Sequence, residues 1–379
     1  MKPDLIVIGG GIIGCSAAAY AAERGASVLL LEEREIGAGA SGRNSGSVQY
    51  PFDPILAALH LATLDLYRDL AAAGPAFSLP AAPAGLLLLT NDPAAAHDRV
   101  AELMREAPHL KPRVLAGEAL AEAEPMLATD LAAVRLETGY PLPPDGATAA
   151  MARQARGVGA ELRVGAAVAG IRRNDGRVAG VTLADGGEIK CDAVLVAAGP
   201  WSPNLVDASG AWQPIRPTHG VTVQVEVGSA PQHILEEGVV HTINQPVETG
   251  DPGADLASTF SMISVGRTST IGSTFSPHAL DPDAVAPVLL TRGARFVPAL
   301  QHAALLRSRV CARPQSVDGH PFIGLWPGTA GLFVCAGHGP WGISTGPASA
   351  ALAVSAILDE DEDGIVPELR ASRVIGSSG

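Results

Sequence analysis

The feature that most constrains this chain is a glycine-spaced turn set between an apolar run and an alanine-rich stretch. Leu5-Ile6-Val7-Ile8 is short and wholly apolar, the pattern of a strand buried on both faces. Gly9, Gly11 and Gly14 follow in G-x-G-x-x-G spacing. Residues 13–24 read as a helix that Gly25 ends, and 27–31 as a second buried strand with Glu32 at its tip. Together they predict a βαβ unit. The first glycine permits the tight turn. The second, with Ile12 and Ile13 beside it, lets the backbone approach a pyrophosphate, and the third lets helix and strand pack closely. The helix amino terminus presents free N–H groups to phosphate. Glu32 stands where a carboxylate accepts from ribose hydroxyls, which argues against a 2′-phosphate and hence against NADP. Glu33 is a further candidate at the same tip. This unit alone specifies a dinucleotide site and leaves NAD and FAD both open.

The rest of the chain predicts how that unit is completed. With 379 residues, of which 47% are hydrophobic, two domains or lobes are expected. All-apolar strands recur near residues 194 and 332, while alternating, turn-separated strands lie between them. Helical patterns cover 53–73, 93–107, 116–123, 147–157 and 283–297, and a last one begins near 347. Asp175-Gly176 marks a hairpin. Residues 37–46 are too glycine-rich for regular structure. The layout predicts an α/β fold. A Rossmann-like nucleotide domain is assembled from residues 1–50, 141–212 and 310–375. An α+β substrate domain on an antiparallel sheet is inserted as residues 51–140 and 213–309, with a flexible tail at 376–379.

Charge and cysteine usage narrow the partners. The net charge of −13 repels phosphate backbones and argues against nucleic acid. Cys15, Cys191, Cys311 and Cys335 are widely scattered, with no metal-ligand spacing, so neither a metal site nor a disulfide framework is expected. A reducing cytoplasm fits best. No transmembrane helix is expected, because no run of eighteen apolar residues exists. Lys2 and the apolar residues up to Cys15 imitate a short signal, but Asp4 spoils the positive leader and the glycines serve the stricter pattern. The oligomeric state stays open.

Several segments resemble the D-amino-acid oxidase and glycine oxidase family of FAD enzymes, which includes sarcosine oxidase-like members. These are Val7 to Gly14, Glu32, the loop Gly39-Ala40-Ser41-Gly42-Arg43-Asn44-Ser45-Gly46, Pro144-Asp145-Gly146, Ala197 to Ser202, Arg313-Pro314 with Asp318-Gly319, and Gly337-His338-Gly339. The resemblance spans nearly the whole chain. It implies a glutathione-reductase-type FAD domain, with Ser41, Arg43, Asn44 and Ser45 near the flavin and pyrophosphate. Val168 would meet the adenine end, and Ala198, Gly199 and Trp201 would pass close to the cofactor. Gly337, His338, Gly339, Gly342 and Ile343, entering the last helix, would face the flavin carbonyl end and favour negative charge there.

The same resemblance implies oxidation of the C–N bond of a D-amino acid, glycine or sarcosine type of substrate. Hydride passes to flavin N5, and the imine then hydrolyses. Arg313 is the candidate for gripping a substrate carboxylate, with an ion pair to an acid such as Asp318 as the competing reading. His338 and His219 are candidate catalytic residues, and His241 is a weaker one. Where glycine oxidases carry arginine or another polar residue, Pro340 and Trp341 stand here, so Trp341 is read as an apolar wall. The usual active-site tyrosine has no counterpart. Non-covalent FAD is expected, with a link through Cys311 as the alternative. Oxygen or another acceptor takes the electrons. Competing functions are a dehydrogenase serving a quinone or partner protein, a 2-hydroxy-acid oxidase, and a flavin-binding protein without amine turnover.

Overall fold

The computed structural model describes residues 2–238 and 257–373. The expected tail at 376–379, His241 and most of the polar loop near 245 lie outside the described residues. Two sheets organise the chain. The first has β1 (Leu5–Ile8) at its centre and β2 (Val28–Glu32) beside it. Between them in sequence lies α1 (Ile12–Glu23). The second sheet begins, after α2 (Pro54–Ala72), with β3 (Leu86–Thr90), β4 (Arg113–Ala116) and β5 (Ala132–Leu136). The chain then returns to the first sheet through α3 (Gly146–Gly157), β6 (Glu161–Val164) and β7 (Ala193–Val196). It leaves again for β8 (Ile215–Glu226), β9 (Ile234–Glu237), β10 (Ser258–Val265), β11 (Thr268–Thr274), α4 (Pro282–Ala294) and β12 (Ala304–Ser316). It ends on the first sheet with β13 (Phe322–Leu325), β14 (Leu332–Ala336) and α5 (Gly342–Leu358).

The first sheet runs β13-β14-β7-β1-β2-β6, parallel except for β13. Alternate residues of its strands enter different cores, which explains runs without a polar residue. Leu5, Val7, Leu30, Leu195 and Cys335 pack against α1, α3 and α5. Ile6, Ile8, Leu31, Val196 and Val334 pack on the other side with Val178 and Val181 of a three-stranded antiparallel sheet. The hairpin of that small sheet turns at Asp175-Gly176, both at positive φ (48° and 73°).

The second sheet runs β12-β8-β11-β10-β9-β3-β5-β4, and only β9 with β3 is parallel. One face, with Val221, Val223, Leu235, Met262 and Ile271, packs on Val285 and Leu289 of α4. The other face carries Thr222, Glu236 and Ser261 and turns to the first sheet. Sequence reading did not anticipate β12, and the boundary expected at 310 falls inside it.

The last helix starts at Gly342, five residues before its expected beginning. Pro347 lies inside it and cannot donate to the carbonyl of Ile343. The Tyr67 hydroxyl donates to that oxygen at 2.9 Å, so the helix continues without an orphaned carbonyl. Residues Gly339–Leu358 are long and apolar enough to cross a membrane by length and composition. Here the segment is a core helix, with Ile343, Ala350, Ala353 and Val354 buried against α1 and α2. The stretch at 37–46 contains a short 3-10 turn, Ala40–Gly42.

Candidate active site

The carboxyl ends of β1, β2 and β7 and the polar face of the second sheet enclose a cavity of about 830 Å³. Its nucleotide end is shaped by backbone contacts that only glycine allows. Gly9 sits at φ 111°, and a Cβ there would lie 2.5 Å from the Ala197 carbonyl oxygen. A Cβ on Gly14 would fall 1.9 Å from the Gly9 carbonyl oxygen. Gly14 therefore acts by letting α1 close on the turn, while Gly9, Gly11, Ile12 and Ile13 line the cavity.

Glu32 closes the same turn. Its carboxylate accepts from the Gly10 N–H at 2.6 Å and from the Arg34 N–H at 2.9 Å. A carboxylate has about four acceptor positions, which leaves room for ribose hydroxyls. Glu32 and Glu33 both line the cavity, as does Val168. The loop after β2 is bound internally. The Ser41 hydroxyl accepts from the Ile12 N–H at 3.0 Å. The Asn44 amide donates to the carbonyls of Ser41 (2.9 Å) and Pro144 (2.6 Å) and accepts from the Gly46 N–H (2.8 Å). Arg43 donates to the Val310 carbonyl at 3.2 Å. Ser41, Arg43, Asn44 and Ser45 thus form a fixed wall, and Ala198, Gly199 and the half-exposed Trp201 form another.

At the entry to α5, His338, Gly339, Gly342 and Ile343 line the cavity, whereas Gly337 does not. Both ring nitrogens of His338 and the indole nitrogen of Trp341 are buried without a hydrogen-bond partner. Burial lowers the His338 pKa to about 3, so the ring is neutral and suits contact with a polar planar group. Trp341 supplies a wall, and its N–H faces the same need. His219 is not among the cavity-lining residues. Its backbone pairs with Ser276, and its Nδ1 is buried without a partner. The structure therefore does not bring His219 to the other candidates.

Arg313 lines the cavity away from the glycine turn. Its guanidinium donates to Ser273 Oγ at 2.6 Å and to the Thr274 carbonyl at 3.0 Å, and stands 4.9 Å from the Phe275 ring centre. A Cβ on Gly220 would lie 2.3 Å from it, so glycine there makes the space. Among the described residues, no carboxylate lies within ion-pair distance of Arg313. Asp318, the sequence-based alternative, is bound by Arg373 at 2.8 and 3.1 Å. Burial lowers the Arg313 pKa, and the adjacent Cys311 opposes that effect. A buried cation without its anion lacks the interaction that offsets desolvation. Cys311 also lines the cavity. Burial raises its pKa despite Arg313, Arg309 and Arg43, which disfavours the thiolate a covalent link needs. Gln49, Glu236, Ser261 and Ser273 also line this end. Sequence reading missed them, because only strand register shows which way they point.

These features fit FAD. The glycine turn and Glu32 provide the dinucleotide end, and the orphaned polar atoms of His338 and Trp341 await a polar ring. Among the described residues no group of His, Cys, Asp or Glu could hold a metal. Comparison with known proteins agrees. The family model described as "FAD dependent oxidoreductase" matches residues 4–356. Glycine oxidase of Geobacillus kaustophilus is 28% identical over 99% of this chain and 98% of its own. Glycine oxidase of Pseudomonas putida is 26% identical over 93% of each chain. The crystal structure of glycine oxidase from Bacillus cereus superposes with a TM-score of 0.83 at 25% identity, covering 99% of this chain and 100% of that one. Motif, fold and site converge, and the chain belongs to the FAD-dependent oxidoreductase family that the D-amino-acid and glycine oxidases typify.

Proposed function

We propose that this enzyme oxidises the C–N bond of an amino acid whose carboxylate is held by Arg313. The observation that carries the reading is a guanidinium without an acid partner among the described residues, fixed in the cavity by Ser273 and Thr274. A planar fork of this kind takes a carboxylate by two parallel hydrogen bonds. The glycine oxidases among the relatives, and iminodiacetate oxidase from Chelativorans sp. (TM-score 0.81, 24% identical over 97% of this chain and 98% of that one) among the structures, support it by name and by fold respectively.

Bound FAD would supply the two-electron acceptor for the C–H beside nitrogen. The chain's own residues position and enclose. Gly9 to Ile13, Glu32 and the Ser41–Ser45 wall would hold the nucleotide. Arg313 orients the substrate, and Phe275 and Trp341 exclude water from the reacting end. His338, held neutral, contributes no positive charge and no proton near pH 7. The residue division expected from sequence and a cytoplasmic location, in keeping with four free, buried cysteines, belong to the same proposal.

The test is Arg313→Ala in flavin-loaded enzyme. Losing a charge-assisted pair should raise KM about a hundredfold or more, equivalent to roughly 3 kcal/mol, with flavin content unchanged. An unchanged KM would move the reading to a substrate without a carboxylate. Oxygen uptake during turnover separates an oxidase from a dehydrogenase.

A further inference from the structure

The sheet face that floors the cavity carries one polar row. Register sets Glu236 opposite Ser261, Ser261 opposite Gly272, Gly272 opposite Thr222, and Thr222 opposite Arg309. Directly paired residues point to the same face. Glu236, Ser261 and Thr222 line the cavity. A Cβ on Gly272 would meet Ser261 Oγ at 3.1 Å and Ser45 Oγ at 3.4 Å, so the missing side chain opens the middle of the row. Arg309, at its far end, is turned to the carbonyls of Gly42 and Asn44 at 3.4 and 3.3 Å.

Glu236 is the anomaly in this row. Among the described residues the one hydrogen bond to its side chain comes from the neutral Gln49 amide, at 3.2 Å to Oε2. No cation among them lies within ion-pair distance of it. Its neighbour Glu237, by contrast, is clamped by Arg292 at 2.9 and 2.8 Å. Burial raises the Glu236 carboxyl to about 7, against the lowering effect of Gln49. A part-buried carboxylate facing the cavity with one hydrogen bond and about three acceptor positions free is held ionised at the lowest cost when a cation enters to meet it.

Arg313 supplies the complementary end. Its guanidinium reaches Ser273 on β11, and Glu236 lies on β9, two strands away. Two strand spacings are ~10 Å. An extended amino acid with a cationic nitrogen on its side chain can bridge a gap of that order with a hydrogen bond of ~2.8 Å at each end. We propose that Glu236 sets substrate specificity by taking a cationic nitrogen on the substrate side chain while Arg313 holds the α-carboxylate, so that the enzyme selects basic amino acids. The same carboxylate repels the second acid of a dicarboxylic substrate. The inference rests on the amino-acid oxidation reading above.

The test uses flavin-loaded enzyme under anaerobic conditions, with both enantiomers of lysine, ornithine, norleucine and glutamate, followed at the flavin band. Lysine or ornithine should exceed norleucine at least a hundredfold in kcat/KM, with glutamate slowest. Glu236→Gln should reduce that ratio below tenfold. Binding is read separately by flavin difference spectra with 6-aminohexanoate, hexanoate and adipate. Wild type should prefer them in that order, and Glu236→Gln should lose the preference. Norleucine or glutamate equal to lysine in the wild type, or a ratio unchanged in Glu236→Gln, overturns the role of Glu236 and leaves amino-acid oxidation standing. Failure of every amino acid to reduce the flavin overturns both.

Discussion

Individual side chains in this molecule are governed by whether burial leaves them a partner. His60, 2% exposed, has an Nδ1 without a hydrogen bond, and its ring stands edge-on to Tyr50. Burial lowers its pKa from 6.5 to about 4, opposed by a backbone hydrogen bond involving Ser344. Between those two values the unfolded chain binds the proton and the folded chain does not. Stability is therefore full above pH 6.5 and falls as pH drops towards 4, by about 1.4 kcal/mol per pH unit from this ring. His338 acts in the same direction down to about 3. Urea unfolding midpoints at pH 7 and 4.5 should show a smaller acid loss in His60→Asn than in the wild type. At this scale the glycine motif was legible, because a missing Cβ is a sequence fact with a steric meaning. The orientation of Glu236 was not legible. In His233-Ile234-Leu235-Glu236-Glu237 the two acids look like the polar end of a strand, and only pairing with Ser261 and the Arg292 clamp give them separate roles.

Elements were legible where local chemistry marks their ends. α2, α4 and the helix Pro93–Glu106 each begin with Asp-Pro, and in each the aspartate accepts from backbone N–H groups of the first turn. This is the expected amino-terminal signal. Asp53 also accepts from His320 Nε2 at 3.1 Å, tying α2 to the segment before β13. Asp53→Ala should lower stability by about 1–2 kcal/mol, read as a fall in the thermal or urea midpoint, with Asp53→Asn closer to wild type. β12 was hidden because its sequence carries Arg307, Arg309, Arg313 and Pro314, which break an apolar pattern. It is an edge strand, and among the described residues β8 is its one ladder partner, with a single bridge from Gln315 to His338; proline is tolerated at such an edge, and Arg309 turns to the loop at 42–44 and Arg313 to the cavity. The chemistry that concealed the strand is the chemistry that builds the site.

At the scale of the whole molecule, the first sheet gathers strands from three distant stretches of chain, and the nucleotide end of the cavity sits where they converge. Recurrence of all-apolar strands near 5, 28, 194 and 332 made this return legible. The exact passage through the second sheet was not, since antiparallel register depends on pairings across large sequence separations. A ligand that touches all of these stretches should stabilise the fold as one unit. Adding FAD at a hundredfold excess over Kd to flavin-stripped protein should contribute about 2.7 kcal/mol, seen as a rise in thermal midpoint that NADP does not reproduce.

The central position of β1 also sets a timetable. β1 can pair with β2 almost as soon as both leave the ribosome, but its other neighbour, β7, begins at Ala193 and β14 at Leu332. About 160 residues separate the end of β2 from β7, which at 5–20 residues per second is roughly ten to thirty seconds of translation. For that interval the most apolar strand of the protein has one unpaired edge, the kind of surface that recruits other chains. Yield from the cell should then depend on elongation speed and chaperone supply, even for variants whose finished fold is as stable as the wild type.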